Sequence, residues 1–189
     1  IINYAPNIFK LMGFVSVTQQ MWVATFMAMV NMLATIIAIM YVDRWGRKPI
    51  LYFGLSVMTL SFAGLGCLFY SGGIGSMLTQ YLGVTLILAF ICGFAMSLGP
   101  IPWVICAEIF PLQGRDVGVA AATASNWICN AIVCGTFLSL IDHVGEAKAF
   151  GLFSIINLFG LLFIFLFVPE TKNISLENIE ANLLVGKKL

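Results

Sequence analysis

The stretch "GPIPWVICAEIFP", residues 99–111, sets three prolines and a glycine in and beside a segment that is otherwise oily, and its only charge, Glu108, comes late. Pro100 and Pro102 remove two backbone donors and crowd the carbonyls a turn earlier, so a helix running through them is broken. Gly93 and Gly99 nearby add freedom or close packing. What the break means depends on the solvent around it. In lipid, each freed backbone group costs several kcal/mol unless protein or trapped water takes it up.

The composition decides the solvent. Of 189 residues, 61% are hydrophobic and 9% charged, against about 25% charged in a soluble domain. A surface so poor in charge is a lipid-facing one. The net charge of +1 argues against a nucleic-acid partner. Five apolar runs reach the length of about 20 residues that a spanning helix needs: roughly 21–42, 49–70, 81–107, 117–141 and 149–168. They do not alternate apolar with polar residues, which excludes a transmembrane barrel. The start, "IINYAPNIFK", reads as the tail of a further helix already under way, so the chain is expected to be part of a longer protein. The reading is an all-α membrane bundle over 1–169, with five full spans and the end of a sixth. A tail over 170–189 follows, in which Ser175 is a candidate N-cap and Leu176, Ile179 and Leu183 recur at helical spacing.

Three connections are read as polar: "DRWGRKP" (43–49), "EIFPLQGRD" (108–116) and "DHVGEAK" (142–148), the last holding the one histidine, His143. Arg44, Arg47, Lys48, Arg115, Lys172, Lys187 and Lys188 fall on one side of the membrane, and Lys10 and Lys148 on the other. The positive-inside rule then predicts a multi-pass protein of the cytoplasmic (inner) membrane with a cytoplasmic C-terminus. Cys67, Cys92, Cys106, Cys129 and Cys134 lie in or beside apolar runs without a CxxC pair. They read as buried thiols, not metal ligands, and no metal or cofactor is expected.

A break at membrane depth is either a packing kink or the discontinuity at which transporters place substrates. Trp103, just beyond it, is either an interfacial anchor or a flat ring for the apolar face of a sugar. In "SNWICN" (125–130), Asn126 and Asn130 share a helix face beside Trp127. Amides so deep are interhelical glue or ligands for a neutral polyhydroxyl guest. Asn31 is a third isolated amide, and Asn157 a fourth with less support. No ionisable residue lies mid-span, so these spans look like a substrate binder without its own proton carrier. Arg44, Arg47, Glu108 and Arg115 stand at helix ends. They set topology, or pair in one state and part in another, as a gate does. No nucleophile–base pair, metal cluster or phosphate loop points to an enzyme.

The segments "DRWGRKP", "GPIPWVICAEIFP", "NWICN" and "VPETKNISLENIE", with "YAPNIFKLMGF", resemble the sugar porter family of the major facilitator superfamily. "GFAMS", "EIFPLQGRD" and "PETKN" are most like its bacterial galactose/arabinose–proton symporters. The resemblance implies a twelve-helix fold in which this chain is the C-terminal six-helix bundle, from late helix seven, partnered by an N-terminal six-helix half. It implies transport of a hexose or pentose by alternating access, with a proton as co-substrate, or facilitative uniport, or, less favoured, a non-transporting sugar receptor. By position, it makes Asn31, Phe94, Trp103, Asn126, Trp127 and Asn130 sugar-pocket residues. Tyr4, Pro100 and Pro102 become gating residues, and Arg44, Arg47, Glu108 and Arg115 an ion-pair network on the cytoplasmic side. Asn3 stands where the family's first gating tyrosine is common, and Ala95 where mammalian facilitators carry an acid.

Overall fold

The computed structural model describes residues 8, 16–72, 77–111, 114–170 and 172. Among them are six helices: α1 (Val17–Trp45), α2 (Arg47–Tyr70), α3 (Met77–Met96), α4 (Ile101–Ile109), α5 (Arg115–Val144) and α6 (Glu146–Phe167). α3 and α4 are two pieces of one span, so five spans are long and apolar enough to cross a membrane. Hydrocarbon offers no partner for a free N–H or C=O, so apolar runs of this length close their hydrogen bonds internally as helices. Tyr4 and the predicted tail helix lie outside the described residues.

α2 is the hub. Its most extensive contacts are with α6, then α3, and α1 packs on α3. Its buried positions run the whole helix at three- and four-residue spacing, from Ile50 and Leu51 through Leu55, Met58 and Phe62 to Leu65. Glycines let it approach α3 closely. A methyl at Gly54 would collide with Ser97, and one at Gly93 would sit 2.9 Å from the Gly54 carbonyl oxygen. Away from that contact the core is aromatic. Phe62 lies 4.6 Å from Phe90, 6.1 Å from Phe150 and 5.7 Å from Phe153, centroid to centroid, and Phe137 of α5 meets Phe153 at 5.9 Å. Ile8 is fully buried in the same cluster. A smaller cluster of Ile50, Leu51, Leu55, Ile101 and Ile164 fills the end where the arginines lie, called the basic end below.

The predicted break is present and begins a few residues before the prolines. α3 stops at Met96. The Ser97 N–H is shared between the Gly93 and Phe94 carbonyls at 3.2 Å each, and the Gly99 N–H reaches back five residues to Phe94 O at 2.9 Å. Pro100 then stands as N-cap of α4, with Pro102 in its first turn, where a missing N–H costs nothing. The Ser97 hydroxyl, fully buried, donates to Gly93 O at 2.6 Å.

Two of the predicted polar connections contract to single residues. Segment 43–49 turns at Gly46 (φ 92°, ψ 162°), and segment 142–148 at Gly145 (φ 88°, ψ 154°). Only glycine adopts that backbone without strain. The charged residues on either side continue the helices. His143 is therefore not in a loop but in the last turn of α5, its Nδ1 2.8 Å from Ser139 O.

Candidate functional site

The sequence places its pocket candidates on four helices, and the structure gives each a distinct setting. Phe94, near the end of α3, stacks on Phe90 at 6.5 Å and 13° between ring planes. Phe90 in turn packs on Phe62, so this ring is held from beneath by the core. Trp103, one turn into α4, is 38% exposed. Asn31 is half-buried on α1, and its side chain makes no hydrogen bond among the described residues. Asn126, Trp127 and Asn130 stand on α5 within a run, 124–133, that is exposed all the way round.

The fold isolates that run by gripping α5 at its two ends. Near its start, Gly118 packs so closely on Phe110 that a methyl there would lie 2.7 Å from the ring. Near its end, Phe137 and Ile141 enter the aromatic core. The four-residue spacing sets the amides of Asn126 and Asn130 about 6 Å apart along the axis on one face. Asn130 Oδ1 receives a weak bond from the Cys134 thiol at 3.6 Å, and the Asn126 amide has no partner among the described residues. In pure hydrocarbon an unpaired amide costs about 4–8 kcal/mol. Facing acyl chains alone, the Asn126 amide would carry that cost. Among the described residues, no hydrogen bond or ring contact joins the six pocket candidates to one another, and Asn157 is set apart from them. Its Nδ2 donates to Phe153 O at 2.8 Å, and it lines a different cleft, between α2, α4 and α6.

At the basic end the candidates do meet. Arg47 Nη2 lies 2.7 Å from Glu108 Oε1, joining the start of α2 to the end of α4, and 3.3 Å from Asp43 Oδ1 on α1. Both members of the shorter pair are mostly buried, the side chains 13% and 18% exposed. Arg47 Nε is buried without a partner. The other two arginines of the predicted network behave differently. The Arg115 Nε donates to Phe110 O at 3.2 Å, and Arg44 takes part through its carbonyl, which accepts from Lys172 Nζ at 2.6 Å.

Sequence reasoning missed the residue that ties this cluster together. Glu170 accepts from the N–H groups of Arg47 (3.1 Å), Lys48 (3.0 Å) and Lys172 (3.1 Å). Its carboxylate thus caps the N-terminus of α2, where the first N–H groups have no helical partner and the dipole favours an anion. Gly46 makes room, since a Cβ there would lie 2.9 Å from Glu170 Oε2. The available signal was an acid one residue past Pro169 at the close of an apolar span. Asp43, four residues before Arg47, carried the spacing of an ion pair in the sequence, but the turn at Gly46 puts the two on different helices.

A proline-broken span, two amides unpaired among the described residues and a mostly buried ion pair at the basic end occur together in one bundle of five apolar spans. A family model described as "Sugar (and other) transporter" matches residues 1–183. The chain belongs to that family, the sugar porters of the major facilitator superfamily. It is 48% identical over its whole length to the galactose-proton symporter of Escherichia coli K12, and 42% identical to the arabinose-proton symporter of the same strain, covering 40% of each. The facilitated trehalose transporter Tret1 of Bombyx mori is 37% identical, with 37% of its length covered. The chain thus spans about 40% of the length of the curated relatives it matches. Among solved structures, the proton:xylose symporter XylE bound to 6-bromo-6-deoxy-D-glucose superposes with a TM-score of 0.83 at 32% identity, over 95% of this chain and 38% of that one. The inward-open conformation of XylE from E. coli gives 0.77 at 29% identity, over 95% and 41%.

Proposed function

We infer that these spans form the C-terminal bundle of a monosaccharide carrier of the bacterial inner membrane. The bundle works by alternating access against an N-terminal six-helix bundle, and the carrier couples a hexose or pentose to a proton. The observation that carries this reading is the pair of amides, Asn31 and Asn126, held at membrane depth without partners among the described residues. Neutral donors and acceptors suit an uncharged hydroxylated guest, and the rings of Phe94, Trp103 and Trp127 suit its apolar face. Asn130 adds a third amide. The Arg47–Glu108 pair acts as the gate on the cytoplasmic side, and the excess of cations supports a C-terminus on that side too. The test is uptake of labelled galactose and arabinose by cells expressing the full-length protein. Failure with every hexose and pentose tried would overturn the reading.

Facilitative uniport is the second reading. It is favoured by the lack of any ionisable side chain in the middle of the described spans and by the likeness to a facilitated transporter. Sugar added to a weakly buffered, de-energised cell suspension separates the two. Symport raises the external pH as protons enter with the sugar, and uniport leaves it flat.

A further inference from the structure

A cleft of about 510 Å³ opens between α2, α4 and α6, lined by none of the six pocket candidates; of the gating candidates it touches Pro102. Its walls include Leu51, Leu55, Ile105, Ile156 and Phe163, and the one amide in it, Asn157, is already bonded to its own helix. Along α6 it runs from Ile156 to Val168. That is about 18 Å at 1.5 Å per residue, close to one leaflet of a hydrocarbon core about 30 Å thick.

A cation stands at its basic end. Lys48 precedes Leu51 by three residues and Leu55 by seven, so it shares their face of α2. Its Nζ spans to α6, 3.2 Å from Phe165 O, and lies 5.9 Å and 6.0 Å from the centroids of Tyr52 and Phe165. No carboxylate pairs with this ammonium among the described residues, and two of its three donors remain. The nearest acid, Glu170, is committed to backbone N–H groups. The exposed positions of α6 beyond Phe150 are all apolar, so the surroundings of the cleft are acyl chains.

We propose that this cleft is a binding site for an anionic glycerophospholipid of the leaflet at the basic end. One acyl chain lies between α2, α4 and α6, and the phosphate meets Lys48. Positive charge at the mouth selects the headgroup, and a dry groove one leaflet deep accepts the chain. The site joins α4, which carries Glu108, to α2, which carries Arg47, so an occupant braces the two sides of the latch. The proposal rests on membrane insertion alone and survives failure of the symport reading.

The test measures thermal unfolding of the purified full-length protein in detergent, with dioleoylphosphatidylglycerol or dioleoylphosphatidylethanolamine added. Phosphatidylglycerol is expected to raise the midpoint several degrees more than phosphatidylethanolamine. Lys48→Gln, which removes the charge, and Ile156→Trp, which fills the cleft from an exposed position, should each lose at least half of that difference. Equal stabilisation by the two lipids would overturn the proposal. So would variants that keep the full difference.

Discussion

α5 and α6 are consecutive and buried to the same small degree, yet their exposed faces are opposites. From Leu152 onward every exposed residue of α6 is apolar. Its two polar side chains are turned inward and satisfied, Ser154 on Thr59 O at 3.0 Å and Asn157 on Phe153 O at 2.8 Å. α5 exposes Ser125, Asn126, Asn130 and Thr136, and among the described residues Asn126 has no bond to give up. Exposure alone therefore says nothing about what a membrane helix faces; the balance of satisfied and unsatisfied polar groups does. On the proposed reading α6 faces lipid and α5 a polar partner.

The harshest way to break this contrast is a charge. Phe159→Arg on α6 should cost about 2.5–3.5 kcal/mol, the insertion penalty of an arginine at bilayer depth, and deplete the protein from the membrane fraction. Asn130→Arg on α5 should leave membrane levels near normal while abolishing transport. Immunoblots of membranes beside uptake assays check both, and equal depletion would erase the distinction.

The helix ends differ as well. Just beyond α6, Glu170 is bonded to three backbone N–H groups, whereas among the described residues Arg115 at the start of α5 holds a single carbonyl. Charge-assisted bonds of this kind contribute about 1.5–3 kcal/mol each when their loss leaves donors unpaired. Water reaches this half-exposed site, so we expect Glu170→Ala to cost about 2–3 kcal/mol in all and to favour opening at the basic end. Arg115→Ala should cost less than about 1 kcal/mol of stability while shifting state populations. Alkylation of a cysteine introduced at the basic end reads the populations, and thermal unfolding reads the stability.

The next effect is confined to function. Asn126→Ala should raise the half-saturation constant for sugar roughly tenfold, which is about 1.4 kcal/mol, with membrane levels unchanged. Leu162→Ala, on the lipid face of α6, should leave uptake within about twofold. Normal uptake by the Asn126 variant would remove the amide from the pocket.

Much of this was legible in residues. The five spans followed from apolar length, the break from Pro100 and Pro102, and the Arg47–Glu108 pair was named among the cytoplasmic charges. The boundaries were not. Asp43, Arg44, His143 and Lys148 read as loop because charge was taken to end a helix, but a helix can carry charge past the hydrocarbon into the headgroups. The capping role of Glu170 was also hidden, since it pairs with backbone more than 120 residues away, a partner that leaves no mark in side-chain pattern. The opposite settings of Asn126 and Asn157 were hidden for a related reason. Both are amides in apolar helices, and only the packing shows that one is paired and beside a lipid-facing cleft.

The last effect lies at the joint between the two helices compared. Gly145, at φ 88°, has nothing among the described residues within 4 Å of where a Cβ would stand, so Gly145→Ala carries backbone strain alone. With ψ 154° the residue sits in a region open essentially to glycine, and the strain is about 1–3 kcal/mol. Gly46 has nearly the same dihedrals, but its Cβ would press on the Glu170 carboxylate at 2.9 Å. Gly46→Ala should therefore cost more than Gly145→Ala, and the excess should shrink in a Glu170→Ala background, where the obstructing group is gone. Thermal unfolding of the four variants forms the cycle. If the two alanines cost the same, the cap does not occupy the space above Gly46, and the tie between the end of α6 and the start of α2 is weaker than its three hydrogen bonds imply.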